Sequence, residues 1–209
     1  MRRTVRPLAE LRLLGGSLPL DFVNSVDWRA SDQPIEYLVD YDALIAWSRR
    51  VGTLSPAEAA SLRGRAAADS SAAQAAAQRM RRRREQLYEL LAGVASGRPA
   101  DPALLDEVRR WHGEAIDAGV LHQGATGIEL GWRSDELDRP AWPLYRSAWD
   151  LLTGPALGRV KICPADGCGW LFLDRSKNGT RRWCSMGGCG ARMKMRRAYS
   201  RSRRERLGS

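Results

Sequence analysis

Four cysteines are the residues of this 209-residue chain whose types and spacing point most directly to chemistry. Cys163, Cys168, Cys184 and Cys189 form two C-x4-C pairs, separated by 15 residues. Paired cysteines at such an interval are typical of a tetrahedral zinc site with four thiolate ligands. Four protein ligands leave no open coordination position, so we predict one structural and non-catalytic Zn²⁺ per chain.

Two disulfides, or four unrelated buried cysteines, are the alternatives to a metal site. The basic start of the chain is interrupted by Glu10 and Arg12 before a secretory apolar stretch can form, and no run of 18 apolar residues exists. We therefore expect a cytoplasmic chain that meets no membrane. In that compartment cysteines stay reduced, which favours thiolate ligands over disulfides.

The elements around the cysteines must bring the two pairs together. Residues 170–173 are strand-like, Asn178-Gly179 is a hairpin turn signal, and residues 181–183 lead back toward the second pair. We therefore expect a β-hairpin there. Residues 191–207 contain no Pro or Gly and are predicted to form a helix. Together these elements predict a treble-clef or zinc-ribbon-like module that ends in a basic helix.

Positive charge is concentrated in the same module. The chain carries a net charge of +10, and residues 159–209 hold 14 of its 34 basic residues but three of its 24 acidic ones. Eight basic residues fall within 192–206 and are expected to cover most of the helix surface, with Met193 or Met195 and Tyr199 seating the helix on the hairpin. The positive charges of such a helix repel one another unless an anionic partner neutralises them.

Nucleic acid is the anionic partner that we predict for this module, with duplex DNA favoured. Its phosphates would bind basic side chains, some of which would reach base edges. The candidate contacts are Arg175, Lys177, Arg181, Arg182, Arg192, Lys194, Arg196, Arg197 and Arg201.

Two other partners stay open. Single-stranded RNA would stack on Trp170, Phe172 and Trp183, although we expect these aromatic residues to form the small core around the zinc. An acidic protein would make the module an adaptor.

The rest of the chain, residues 1–158, is predicted to be a near-neutral and mostly helical domain. It carries 20 basic and 21 acidic residues. Capping residues predict helices after Asp40, Ser55, Ser71 and Asp101, and apolar spacing predicts another within 140–152. Alternation in 120–122 and 128–132 predicts a β-hairpin, and residues 20–23 are either a short strand or an extended entry into a helix. The fold class is therefore α+β.

This domain offers little catalytic material, so we expect that the protein is not an enzyme. It has two histidines, His112 and His122, and lacks the common nucleophile, phosphate-loop, dinucleotide and zinc-protease motifs. Asp21 and Asn24 either line a ligand site beside the Gly15-Gly16 turn or act as helix caps and turn formers.

A second basic run lies at Arg79 and residues 81–84. It is either another phosphate-contacting patch or, as we favour, a solvated helix face whose charges pair with Glu85 and Glu89.

Both ends of the chain resemble a known family. Cys163 to Cys168 with the following Gly-Trp-Leu-Phe-Leu-Asp, and Cys184 to Cys189 with the following Gly-Ala-Arg, resemble the CGNR-type zinc finger. Gly15-Gly16 with the Leu-Asp-Phe-Val-Asn-Ser segment at 20–25 resembles the start of the companion ABATE domain.

The resemblance implies two domains, an ABATE-like one at 1–158 for sensing or dimerisation and a nucleic-acid-binding zinc finger at 159–209. It implies a bacterial, stress-linked transcription regulator, with homodimerisation and a small-molecule effector left open. Ala191 stands where the family motif has Asn, which could cap the helix or touch a phosphate. The resemblance therefore does not imply a nucleic-acid contact at Ala191.

Overall fold

The computed structural model describes residues 4–207, apart from the side chains of Thr4, Arg204, Glu205 and Leu207. Residues 1–3 and 208–209, the outer ends of the two predicted domains, lie outside the described residues. The helices are α1 (Leu18–Val23), α2 (Tyr41–Arg50), α3 (Pro56–Ala68), α4 (Ser70–Ala95), α5 (Pro102–Asp117), α6 (Trp142–Thr153) and α7 (Ala191–Leu207). The strands are β1 (Thr4–Val5), β2 (Val26–Asp27), β3 (Ile35–Glu36), β4 (Gly119–Gln123), β5 (Ile128–Trp132), β6 (Val160–Ile162) and β7 (Leu171–Leu173).

Local capping chemistry sets most helix starts where the sequence predicts them. Asp40 accepts from the Ala43 N–H at 2.8 Å, and Ser55 forms a reciprocal capping box with Glu58. The predicted cap at Ser71 is wrong. Helix α4 begins two residues earlier than a cap at Ser71 predicts, because the Asp69 carboxylate accepts from the Ala72 N–H at 2.8 Å and is the cap.

Residues 20–23 form part of helix α1, so the strand alternative for this segment is wrong. Pro19 lies in the first turn, where its missing N–H costs no hydrogen bond. The preceding loop runs back against the helix so closely that a Cβ on Gly15 would lie 2.6 Å from the Leu20 Cβ. This turn brings the loop and α1 to the same side of the core.

Helix α4 organises the packing, with contacts to α1, α2, α3, α5 and β6. Strands β1, β3 and β2 form a small sheet, and β4 and β5 form the predicted antiparallel hairpin. Among the described residues, none of the helices has the length and apolar character needed to cross a membrane.

The basic run of α4 is not the solvated face that the sequence favoured. Arg84 is fully buried, and its guanidinium binds both carboxylate oxygens of Glu36 at 2.5 and 2.6 Å. Arg83 binds Glu114 and Arg79 binds Asp138, whereas Arg82 is exposed. The pairing acids come mainly from other elements, which is why residues near in sequence did not reveal them.

The predicted hairpin of the cysteine module is also wrong in its second strand. Strand β7 pairs antiparallel with β6, which precedes it, and not with residues 181–183. The first cysteine pair therefore lies in the turn of the β6–β7 hairpin. Residues 174–181 form a loop because the buried Asp174 carboxylate accepts from Lys161 Nζ, Ser176 and the Arg181 N–H. The hydrogen bond from Lys161, followed by that from Ser176, lowers the pKa of Asp174 below its ordinary value.

Both predicted domains contribute to one continuous hydrophobic core. Trp170, Leu171 and Phe172 are buried in it together with residues of α1 and α4. The indole N–H of Trp170 donates to the Val26 carbonyl at 3.0 Å, and the Leu173 N–H donates to the Gly15 carbonyl at 2.8 Å. The cysteine module thus folds against the helical domain instead of around a separate core.

Candidate metal centre and nucleic-acid interface

The four cysteines are free thiols whose ligand atoms converge. All four Sγ atoms lie within 4.8 Å of one another, with separations of 3.8 Å for Cys168–Cys184 and 3.5 Å for Cys184–Cys189. A tetrahedron with zinc–sulfur distances of about 2.3 Å has sulfur–sulfur edges of about 3.8 Å. The thiol cluster therefore matches the donor set and the size that a structural zinc ion requires.

Two differently built loops hold these thiols. In the first, the Cys163 N–H donates to the Trp170 carbonyl at 2.8 Å, and Gly167 and Gly169 adopt left-handed φ values of +73° and +68°. In the second, a π-helical turn over Met186–Gly190 is opened by Ser185, whose hydroxyl accepts from the Gly188 N–H at 3.1 Å. The glycines permit the tight backbone that four-residue ligand loops need.

Proton sharing among the four thiols shifts their pKa values in opposite directions. Hydrogen bonds from Cys168, Cys184 and Cys189 lower the pKa of the Cys163 thiol, and the shared protons raise the pKa of Cys168. The Arg192 guanidinium lies 3.8 Å from the Cys189 sulfur and adds a positive charge at its edge. Thiolate is the form that binds metal, so zinc binding would release the protons that the four thiols share.

The helical domain binds the backbone carbonyls of the first ligand loop. The N–H groups of Arg29 and Ala30 donate to the carbonyls of Cys168 and Gly167 at 3.1 and 3.2 Å, and the Tyr88 hydroxyl donates to the Gly169 carbonyl at 2.9 Å. The sequence did not predict these contacts, because no local pattern indicates a hydrogen bond between groups that are 81 or more residues apart.

Asp21 and Asn24, the candidate ligand-binding residues, both have partners within the fold. Asp21 accepts from the Gly15 N–H at 2.8 Å, and burial raises the pKa of its carboxyl group. The fully buried amide of Asn24 donates to the Leu171 carbonyl at 2.7 Å and accepts from the Leu171 N–H at 2.9 Å. These contacts agree with the cap and turn alternative, and ligand binding at the two positions stays a prediction.

Two of the predicted nucleic-acid contacts are engaged in the fold. Arg181 donates to the Trp183 carbonyl at 3.0 Å and to the Cys184 carbonyl, while its guanidinium lies 4.5 Å from the centre of the Phe172 ring. Arg175 donates to the Gly16 carbonyl. Both arginines therefore tie the loop after β7 to its surroundings.

Arg192 and Arg196 are held on one side of α7. Arg192 lies 4.4 Å from the centre of the Trp28 ring and donates to the Asp166 carbonyl at 3.0 Å. Arg196 forms an ion pair with the Asp166 carboxylate. The other predicted contacts, Lys177, Arg182, Lys194, Arg197 and Arg201, are exposed.

Two of the three aromatic residues considered for base stacking are inaccessible. Trp170 is 4% exposed and Phe172 is fully buried, so the stacking role is wrong for both. They lie in the core that the module shares with the helical domain, and not in a separate small core around the zinc. Trp183 is half-buried, with the Arg182 guanidinium 5.1 Å from its ring centre.

Helix α7 is not seated on the hairpin by Met195 and Tyr199, which are 67% and 69% exposed. Met193 takes that position and packs against the core. Because a helix turns by about 100° per residue, Met195 lies about 160° around the helix from Met193. The apolar pair therefore points away from the body.

Protein-family comparisons agree with this architecture. Residues 159–202 match the CGNR zinc finger, and residues 16–155 match ABATE, described as "putative stress-induced transcription regulator". A search of curated proteins found no match. The zinc-finger match covers all four clustered cysteines, which assigns the site to a single structural zinc ion. Since the ABATE match spans more than half of the chain, this protein belongs to the ABATE family and carries a CGNR zinc finger after that domain.

Proposed function

We propose that this protein is a transcription regulator that binds duplex DNA through the zinc module and α7, and that it is not an enzyme. We also propose that it acts in the cytoplasm, where its four free thiols would stay reduced. The observation that carries the proposal is a cationic helix with all residues from 194 to 201 exposed, fixed to the body at its first turn.

The shape of α7 supports a groove as its binding site. Its packing contacts are concentrated at the π-helical turn that precedes it, so the helix projects from the body. An α-helix with its side chains is about 10–12 Å across, and the major groove of B-DNA is about 12 Å wide. The zinc loops and Asp166 fix the direction in which the helix leaves the body.

Duplex DNA is favoured over single-stranded RNA because two of the three aromatic residues considered for base stacking are buried. Unpaired bases bind by stacking on accessible aromatic faces, and Trp170 and Phe172 offer none. An acidic protein partner would also be attracted by the charge of α7, and competition experiments separate these outcomes.

Binding is expected to depend steeply on salt. If six to eight phosphates are neutralised, log affinity plotted against log salt concentration should fall with a slope of about −5 to −7. Fluorescence anisotropy with a labelled duplex measures this slope. Lys194→Gln and Arg197→Gln should each make it shallower by about 1 unit.

Arg82→Gln is the matched control, because Arg82 is an exposed arginine on α4. It should leave the slope unchanged, and a shallower slope in this variant would place phosphates on the body instead. A slope near zero for the wild-type protein, or displacement of the duplex by RNA at far lower concentration, would contradict the proposal.

The β4–β5 hairpin supports a second proposal, homodimerisation. Leu121 is 74% exposed and Ile128 is 67% exposed, and cross-strand pairing places both on one face with Leu130. Ile116, 63% exposed, extends this apolar face from α5 beside a cavity of about 230 Å³. Contiguous exposed apolar surface marks interaction sites, and the same face on a second copy is self-complementary. The near-neutral helical domain, with 20 basic and 21 acidic residues, does not repel its copy.

Leu121→Glu is expected to convert the dimer to a monomer, because it places a charge in the apolar face. Sedimentation equilibrium across a concentration series measures the change. Val120→Glu is the control, since Val120 lies on the same strand but on the opposite face. A wild-type protein that stays monomeric throughout, or two variants that dissociate equally, would refute this interface.

A further inference from the structure

Helix α7 carries an uncharged stripe along one side of residues 191–202. At about 100° per residue, Arg206 falls in the same arc of about 100° in the last turn, and the five residues of this arc that precede it are uncharged. They are Ala191, Met195, Ala198, Tyr199 and Ser202. The stripe lies opposite Met193, which packs against the core, and its middle residues Met195, Ala198 and Tyr199 are exposed.

Basic residues border this stripe on both sides. Arg192, Arg196 and Arg203 fall on one border, and Lys194, Arg197 and Arg201 fall on the other. The basic residues still cover most of the helix circumference, as the sequence predicts, and the stripe is the gap that they leave over residues 191–202. The uncharged stripe can be seen when the sequence is projected around a helix, but not when the basic residues are only counted.

Met195 and Tyr199 form the centre of the stripe. They are one helical turn apart and about two-thirds exposed, on a helix whose neighbouring side chains are cationic. Apolar side chains that are exposed on a charged surface add nothing to the core. Their exposure to water is also less favourable than burial against a partner would be. Their position therefore suits contact with a partner whose surface is apolar in the middle and anionic at both edges.

The major groove of duplex DNA has that distribution. Its floor presents base edges, including the thymine methyl group, and phosphates line both rims. Methionine and tyrosine side chains offer apolar contact to a methyl group, and the tyrosine hydroxyl also donates and accepts hydrogen bonds. Small residues such as Ala191 and Ala198 let the helix backbone approach the floor.

We propose that the α7 stripe reads base edges in the major groove, with Met195 and Tyr199 as the specificity-determining residues and a thymine-containing step as their target. This inference rests on the proposed DNA binding and deepens it. The two basic borders contact the phosphates on either rim. Asp166 holds Arg192 and Arg196 on one border, so the rotation of the helix is set before DNA binds.

Selection from a random duplex library with the zinc-loaded full chain tests the proposal. The wild-type protein should enrich a motif that contains thymine, and the Met195→Ala/Tyr199→Ala variant should lose preference at two or three adjacent positions. Affinity of the variant for the selected site should fall about tenfold or more, toward its affinity for random duplex. Its salt slope should be unchanged, since no charge is removed.

Replacing thymine by uracil in the selected site removes the methyl group alone. This change should weaken wild-type binding and leave the double variant unaffected. Arg197→Gln is the matched control on the border, and it should weaken binding to all sequences without altering the motif.

The possible failures are distinguishable. Salt-dependent duplex binding with no enriched motif, or an unchanged motif in the double variant, would overturn the stripe proposal and leave DNA binding intact. Absence of duplex binding by the wild-type protein would overturn both proposals. Zinc content and circular dichroism of the double variant show whether it is folded, and its exposed positions predict that both match wild type.

Discussion

Replacing Cys184 by serine is expected to release zinc, unfold the module and abolish DNA binding. Cys184 is 3% exposed and its sulfur lies within 3.8 Å of both the Cys168 and the Cys189 sulfurs. Structural zinc contributes about 10–16 kcal/mol of apparent binding free energy in small modules, so loss of one ligand removes much of the stabilisation. Because α7 leaves directly from the second ligand loop, it loses its anchor as well.

The effect should extend to the whole chain. The Leu171 backbone pairs with Asn24, the Leu173 N–H with the Gly15 carbonyl, and the Cys168 carbonyl with the Arg29 N–H. A disordered module would leave these buried groups of the helical domain without partners, at a cost of about 1–3 kcal/mol each. We therefore expect a chelator, or Cys184→Ser, to lower the melting temperature of the complete protein by more than about 10 °C.

Metal analysis and calorimetry check this result. The wild-type protein should hold one zinc ion per chain and unfold in one transition that chelation moves downward. Met186→Ser is the control, because Met186 lies in the same ligand loop but is 70% exposed, and it should keep its zinc. Stoichiometric zinc with an unchanged melting temperature in Cys184→Ser would contradict the assignment. A separate early transition would instead show that the two domains unfold independently.

Local sequence signals were sufficient for the metal site and most helix boundaries. The metal site follows from the spacing of the cysteines. The helix boundaries follow from the caps at Asp40 and Ser55 and from the absence of Pro and Gly over 191–207. Each therefore leaves its pattern in a short window of sequence. The α+β fold class and the identity of the metal follow from such windows.

Long-range pairing explains what the sequence did not predict. Asn178-Gly179 does form a tight turn, with Gly179 at a φ of +62°, but the buried Asp174 makes it part of a loop. Strand β7 pairs with β6 on one side and contacts the Asn24 amide and the Gly15 carbonyl elsewhere. Asn24 is 147 residues from Leu171 in sequence, and nothing in its residue type specifies which strand it meets.

Arg84→Met is the second substitution with a large expected effect, a loss of about 3–5 kcal/mol in the free energy of unfolding. Arg84 is fully buried and Glu36 is 6% exposed, so the variant leaves a carboxylate in the interior without its guanidinium partner. Methionine keeps much of the volume, which limits any contribution from a cavity. Chemical denaturation measures the loss, and we expect a large fall in the unfolding midpoint.

Two further variants separate the effect of the Glu36 charge from the other effects of replacing Arg84. Arg82→Met removes a neighbouring but exposed arginine of α4 and should change stability by less than about 0.5 kcal/mol. Arg84→Met combined with Glu36→Gln also removes the carboxylate charge, while the amide oxygen still accepts from the Leu38 N–H, which lies 2.9 Å from Glu36 Oε1. The double variant should therefore be more stable than Arg84→Met alone.

The comparison of single and double variants decides what the buried pair contributes. Breaking a buried ion pair is costly because one charge stays desolvated, whereas removing both charges is often nearly neutral. Recovery in the double variant would show that the cost lies in the buried charge of the Glu36 carboxylate. Additive losses would contradict this and assign the cost to the guanidinium contact with the Ser25 hydroxyl, at 2.9 Å. Ser25 follows Asn24, the partner of Leu171, so that result would connect Arg84 to the strand next to the zinc loop.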